Sequence, residues 1–207
     1  MTEQTNIPVA APPLAGETVI AGVHHSARPT WKLAETVRFY RDVMGLELIH
    51  AISARGWGPE DHPDFIHFFF DGGNDSTLAF FYYLGLEMPP HALPQESWLY
   101  RSVHTAWRVE TREQLLAWRA RFEAHGLDVM QVKHEIIESI YAVDPNGYWV
   151  EITWQMRDLG SADADDARMT LEAAILVEEE TGAPVQTIDE VWNRKAALVK
   201  AHIAGEA

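Results

Sequence analysis

The stretch His134-Glu-Ile-Ile-Glu-Ser-Ile-Tyr-Ala-Val-Asp-Pro-Asn-Gly-Tyr-Trp-Val-Glu151 decides how the rest of the chain is read. It places a histidine and a tyrosine ahead of a tight turn, and a glutamate inside an otherwise apolar strand. Asp144-Pro145-Asn146-Gly147 suits a hairpin turn, with Pro at the second position and Asn and Gly where positive φ is expected. Glu151 stands between Val150 and Ile152 and points away from the side on which they pack. A carboxylate buried without a partner costs several kcal/mol, so it pairs, protonates or binds a metal. A metal needs further ligands.

The pattern around this stretch occurs twice. In the second copy, Ser102–Val109 predicts a strand and Thr111–Gly126 a helix with a Thr111/Gln114 capping box and a glycine stop. Leu127–His134, Glu138–Val143 and Tyr148–Trp154 then predict three strands. In the first copy, Val19–His25 predicts a strand. Trp31–Gly45 predicts a helix with Leu33, Val37, Tyr40 and Met44 on one stripe, and three strands follow through Leu84. Gly45-Leu46 recurs as Gly126-Leu127 and His25 as His104, at nearly constant spacing, which points to an internal duplication. The expected fold class is α+β: two βαβββ units, 19–84 and 102–156, forming a curved mixed sheet around a metal site. Residues 1–18 are expected as a flexible N-terminal arm, and 160–207 as a C-terminal α-hairpin with helices near 164–181 and from about 188.

Composition narrows the function. The 207 residues are 47% hydrophobic and 11% aromatic, enough for a packed core. A net charge of −15 disfavours nucleic acid and anionic membrane surfaces as partners. With no cysteine, thiolate metal sites, cysteine nucleophiles and disulfides are excluded. No basic n-region opens the chain, and no run reaches the ~18 apolar residues of a membrane span, so the expected location is the cytoplasm.

His25 and His104 open equivalent strands. If the two units join their sheets, both can converge with Glu151 on the concave side. Two imidazoles and a carboxylate form a facial triad that leaves about three coordination positions open, as non-haem Fe(II) oxygen chemistry needs. His24 is adjacent to His25 and makes the choice between them ambiguous; His25 is taken for its spacing to Phe39-Tyr40.

His24–Leu48 and Tyr141–Thr153 resemble the vicinal oxygen chelate superfamily, which includes glyoxalase I, bleomycin-resistance proteins and extradiol dioxygenases. The resemblance covers about residues 19 to 156. His134, Ile140-Tyr141, Asp144-Pro145, Gly147 and Glu151 are similar to the extradiol ring-cleavage signature without mismatch. The resemblance implies a metal held by His25, His104 and Glu151: Fe(II) first, with Mn(II), Zn(II) or another divalent ion as alternatives. It implies an aromatic diol and O2 as substrates, His134 hydrogen-bonding the substrate or the oxygen-derived intermediate, and Tyr141 deprotonating or positioning a hydroxyl. It also implies a homodimer or higher homo-oligomer. One departure stands out: Asp75 and Ser76 lie where extradiol enzymes carry a histidine pair, and His67 is the nearby substitute. His67, Asp75 and Trp149 are therefore the candidate substrate contacts. The aromatic wall is expected from Phe68, Phe70, Phe80, Tyr82, Trp107 and Trp149. A glyoxalase-like lyase or isomerase is the first alternative, but Thr77–Leu84 offers no carboxylate or amide as fourth ligand and base. A thiol transferase of the fosfomycin-resistance type is the second, and a non-catalytic small-molecule binding (resistance) protein is the third.

Overall fold

The computed structural model describes residues 22–55, 61–87 and 101–205. The expected N-terminal arm lies outside these residues. The chain divides into one unit of Ile20–Arg157 and a second of Met1–Val19 with Asp158–Ala207.

The larger unit holds two four-stranded mixed sheets, each with its own helix. The first sheet contains β1 (His25–Pro29), β2 (Leu48–Ala54), β3 (Phe65–Gly73) and β4 (Ser76–Tyr83), in the order β1-β4-β3-β2. The second contains β5 (His104–Val109), β6 (Met130–Lys133), β7 (Ile137–Val143) and β8 (Trp149–Gln155), in the equivalent order β5-β8-β7-β6. In both, the opening strand pairs parallel to the last one and the other pairings are antiparallel. The duplicated βαβββ order is therefore a duplicated topology.

Helix α1 (Leu33–Arg38) continues as a π-helical turn over Phe39–Val43, and Gly45 follows at φ 71°. This turn places both Phe39 and Tyr40 in the core. Helix α2 (Arg112–Ala124) begins with the expected capping box: the Thr111 side chain accepts from the Gln114 amide, and the Gln114 side chain accepts from Thr111 N–H. It buries Leu115 and Phe122. One core joins the two halves, with Tyr40, Phe68, Phe70 and Phe80 from the first and Phe122, Ile140 and Ile152 from the second.

Three local expectations change. The first strand begins at His25 rather than ending there. Asn146 does not take positive φ; within the β7–β8 turn only Gly147 does, at 95°. The Asn146 amide is buried instead and bonds Thr36 Oγ1 at 2.8 Å, with Thr30 Oγ1 against its carbonyl oxygen at 2.7 Å. Phe68, Phe70 and Phe80 face the shared core, with Tyr82 and Trp107 packed against it. The other face of β3 and β4 carries Phe65, His67, Phe69, Phe81 and Tyr83. A run of consecutive aromatics gives no phase to a period-2 pattern, so packing alone decides which face is which.

The second unit contains α3 (Ser161–Thr181) and α4 (Ile188–Gly205). Gly182, at φ 65°, ends α3 with its N–H on the Glu178 carbonyl. Glu190 accepts the N–H groups of Gln186 and Thr187 at the start of α4. The pairs Arg194–Glu180 and Lys195–Asp166 bridge the two helices. Among the described residues, no helix is long and apolar enough to cross a membrane.

Candidate metal centre on the second sheet

Sheet register places Tyr141 directly opposite Glu151 and Ala106 on Glu151's other side. His104, two residues before Ala106, shares their face. Val150 and Ile152 point into the core and are at most 1% exposed. Glu151 thus emerges on the opposite face from the helix, yet its side chain is only 4% exposed.

Its partners are His104 and Tyr141. His104 Nε2 lies 3.0 Å from Glu151 Oε2. The Tyr141 hydroxyl donates to Glu151 Oε1 at 3.0 Å, and His134 Nε2 lies 3.0 Å from that hydroxyl. Burial first, and then the Glu151 charge, push the Tyr141 phenol up to about 12. Tyr141 therefore holds its proton and serves as a donor to the carboxylate.

The His104 ring carries a further constraint. Its Nδ1 lies 3.1 Å from the Arg101 carbonyl oxygen, which can only accept, so Nδ1 bears a proton. In a neutral ring the Nε2 lone pair then faces a carboxylate oxygen. Such a contact needs a cation between the two atoms, or a second proton that makes the ring an imidazolium. Two metal bonds of about 2.1 Å at right angles hold their ligand atoms about 3.0 Å apart. The pair fits a divalent cation, and the Nδ1–H···O=C bond is the usual support of a ligating histidine.

The expected third ligand lies elsewhere. Among the described residues, no group of three His, Asp or Glu side chains converges as a metal site. His25 sits on the first sheet, its Nδ1 2.8 Å from that of His24, with its ring centroid 6.2 Å from His67 and 5.9 Å from Phe69. His67 is buried and stacked on Phe81 at 3.6 Å. Its Nδ1 donates to the Phe80 carbonyl, and burial lowers its pKa.

The structure therefore brings together His104, Glu151, Tyr141 and His134, and separately His25 and His67. Trp149 joins the first group, with its ring 6.1 Å from Tyr141 and the Arg101 guanidinium 5.2 Å above it. Its indole N–H is buried without a partner among the described residues. Asp75 joins neither group. It forms the β3–β4 turn with Asn74, at φ 60° and 51°, the conformation of a type I′ hairpin. Sequence reasoning missed the Arg101 carbonyl, a backbone group with no residue signature. It also missed Phe69 and Phe81 on the His67 face, which period-2 counting from a known core residue finds.

Residues 22–152 match the profile of the Glyoxalase/Bleomycin resistance protein/Dioxygenase superfamily. The chain belongs to this superfamily. Among solved structures, it is similar to lactoylglutathione lyase from Agrobacterium tumefaciens, with 21% identity, a TM-score of 0.46, and 65% of this chain and 94% of that one covered. A putative dioxygenase from Bacillus subtilis gives 20% identity and a TM-score of 0.49, over 65% of this chain and 40% of that one. The fosfomycin resistance protein FosX from Listeria monocytogenes gives 16% and 0.45, over 66% and 94%. No curated protein matches the sequence.

Proposed function

We propose that this superfamily member is a divalent-metal enzyme acting on a small aromatic vicinal diol with O2, in the manner of extradiol dioxygenases. The observation that carries the reading is the His104–Glu151 pair, whose 3.0 Å spacing and ring tautomer suit a cation held by both atoms. Tyr141 and His134, which resemble residues of the ring-cleavage signature, extend that pair through hydrogen bonds.

When bound, the metal, Fe(II) by preference, would chelate both diol oxygens and leave room for dioxygen. His104 and Glu151 would hold it. The Tyr141 phenol steadies the carboxylate, and His134 fixes the phenol. On the first sheet, the β4 residues on the His67 face are Thr77, Ala79, Phe81 and Tyr83. None is a carboxylate or amide that could act as a lyase base, which weighs for oxygen chemistry over a glyoxalase-like lyase or isomerase.

His25 is the third ligand, and we assign it to a second copy of the chain. Within one chain it stands with His67 rather than with His104 and Glu151. A homodimer that sets the His25 face of one copy against the Glu151 face of the other completes the triad.

Complementation tests the assembly. His25→Ala and Glu151→Gln chains, each deficient in metal alone, are unfolded together and refolded. Mixed dimers regain one intact site and bind Fe(II) again, read by metal analysis after gel filtration. A mixture as deficient as its parents removes His25 in trans. The chemistry is tested separately. Anaerobic Fe(II) protein should shift the spectrum of 4-nitrocatechol and consume oxygen when air is admitted. If no catechol in a broad panel perturbs the spectrum, the lyase or isomerase reading replaces this one.

A further inference from the structure

A groove of about 680 Å³ opens between the end of the π turn, at Met44 and Gly45, and the exposed side of α2, beside the end of β5. Met44, Val109, Ala117 and Trp118 give it apolar walls. Its polar groups are mainly donors. Arg121 donates from Nε to the Val43 carbonyl at 2.5 Å and from Nη2 to the Asp42 carbonyl at 2.8 Å, with its guanidinium 5.6 Å from the centre of the Trp118 ring. Those contacts fix the plane of the guanidinium and leave the two N–H groups of Nη1 unused among the described residues. Gln114 is fixed in the same way. Its carbonyl oxygen accepts the Glu110 and Thr111 N–H groups in the capping box, so its NH2 group is turned away from the helix end and is unused among the described residues. The one acidic side chain among the described lining residues, Glu110, is paired with Arg108 at 3.2 Å. The groove thus keeps a rigid cation and a rigid amide donor for an acceptor, in a chain of net charge −15.

We propose that this groove binds a small apolar carboxylate, with an aromatic ring against Trp118 and the carboxylate on Arg121 Nη1. Its volume lies in the range of small-molecule pockets, roughly 300–1,000 Å³. A guanidinium held in place before binding loses little freedom when a carboxylate arrives. The site is built on α2 and the turn after α1, whereas Glu151 and Tyr141 lie on the opposite face of the second sheet from the core that α2 packs on. The groove is therefore separate from the metal centre.

The test uses 2-naphthoate and its neutral counterpart 2-naphthylmethanol on the full-length protein, followed by calorimetry and by chemical-shift changes at the Trp118 indole. Naphthoate should bind saturably, one per chain, and the alcohol about tenfold or more weaker. Ala117→Trp fills the groove and should weaken naphthoate about tenfold or more. Arg121→Gln should do the same, and Glu151→Gln should leave naphthoate affinity unchanged. The proposal is overturned if naphthoate shows no saturable binding below about 5 mM, if the alcohol binds equally well, or if binding survives Ala117→Trp.

Discussion

Removing one hydroxyl, in Tyr40→Phe, tests how the two halves of the larger unit are held together. The Tyr40 side chain is fully buried, and its hydroxyl donates to Asp144 Oδ2 at 3.0 Å, from the first βαβββ half to the β7–β8 turn of the second. The Asp144 carboxyl is buried too and accepts three further bonds, from the N–H groups of Asn146 and Tyr148 at 2.8 Å and from the Asn146 amide at 3.3 Å. Phenylalanine keeps the ring contacts with Phe39, Phe70 and Phe80, at 4.9–5.7 Å between centroids. The loss is therefore one hydrogen bond to a buried charged acceptor, about 1.5–3 kcal/mol. With a urea slope near ~3 kcal/mol/M, the unfolding midpoint should fall by about 0.5–1 M at pH 7. The pH dependence has a definite sign. Burial raises the Asp144 pKa in the folded protein, and the hydrogen bond from Tyr40 works in the lowering direction. Folded Asp144 thus takes up its proton above its unfolded value, and its burial cost grows as pH rises from the unfolded to the folded pKa. The phenol matters most to the charged form, so the deficit of Tyr40→Phe is full above the folded pKa and shrinks as pH falls through it. Urea titrations of both proteins at pH 7 and in mild acid measure this. A midpoint change under about 0.2 M at pH 7, or a deficit that does not vary with pH, refutes the argument.

Other outcomes follow from single groups. Glu138 accepts two bonds from Arg112 and one from Gln131, and the Arg112 bonds chiefly hold its pKa below the usual carboxylate range. That stability is present above the unfolded pKa and is lost as pH falls through the folded one. Glu138→Gln should flatten the acid limb of a melting-temperature profile. Asp75→Val forces a β-branched residue into a left-handed turn and should cost about 1–2 kcal/mol in urea unfolding, whereas Asp75→Gly should not. Asp75→Gly should also keep catechol affinity, and a loss there would return Asp75 to the substrate site. Tyr141→Phe and His134→Ala should each retain Fe(II) by metal analysis. Each should slow oxygen uptake by roughly 10²–10⁴-fold if it moves a proton in turnover, and a variant at full rate has no such role.

The order of elements was legible in the sequence because it depends on local chemistry. Alternation marked β7 and β8, the 3.6-residue stripe marked the helices, and the Thr111/Gln114 box and Gly126 marked helix ends where caps and left-handed turns must be. The Glu151 face was legible for the same reason, since Val150 and Ile152 on either side allow only one orientation. What depends on distant neighbours was not. The run from Phe65 to Phe70 carries large rings or aliphatic chains at both phases of a strand. Only the core shared with Tyr40 and Phe80 shows that Phe68 and Phe70 go inward while His67 and Phe69 go out. Asn146 has the composition of a turn residue, yet its amide is taken up by Thr30 and Thr36 from the other half of the unit. The histidines show the limit most plainly. The repeat makes His25 and His104 equivalent along the chain, but ligation depends on distance across it. The fold gives Glu151 to His104 and sets His25 beside His67, because each opening strand pairs with the last strand of its own sheet.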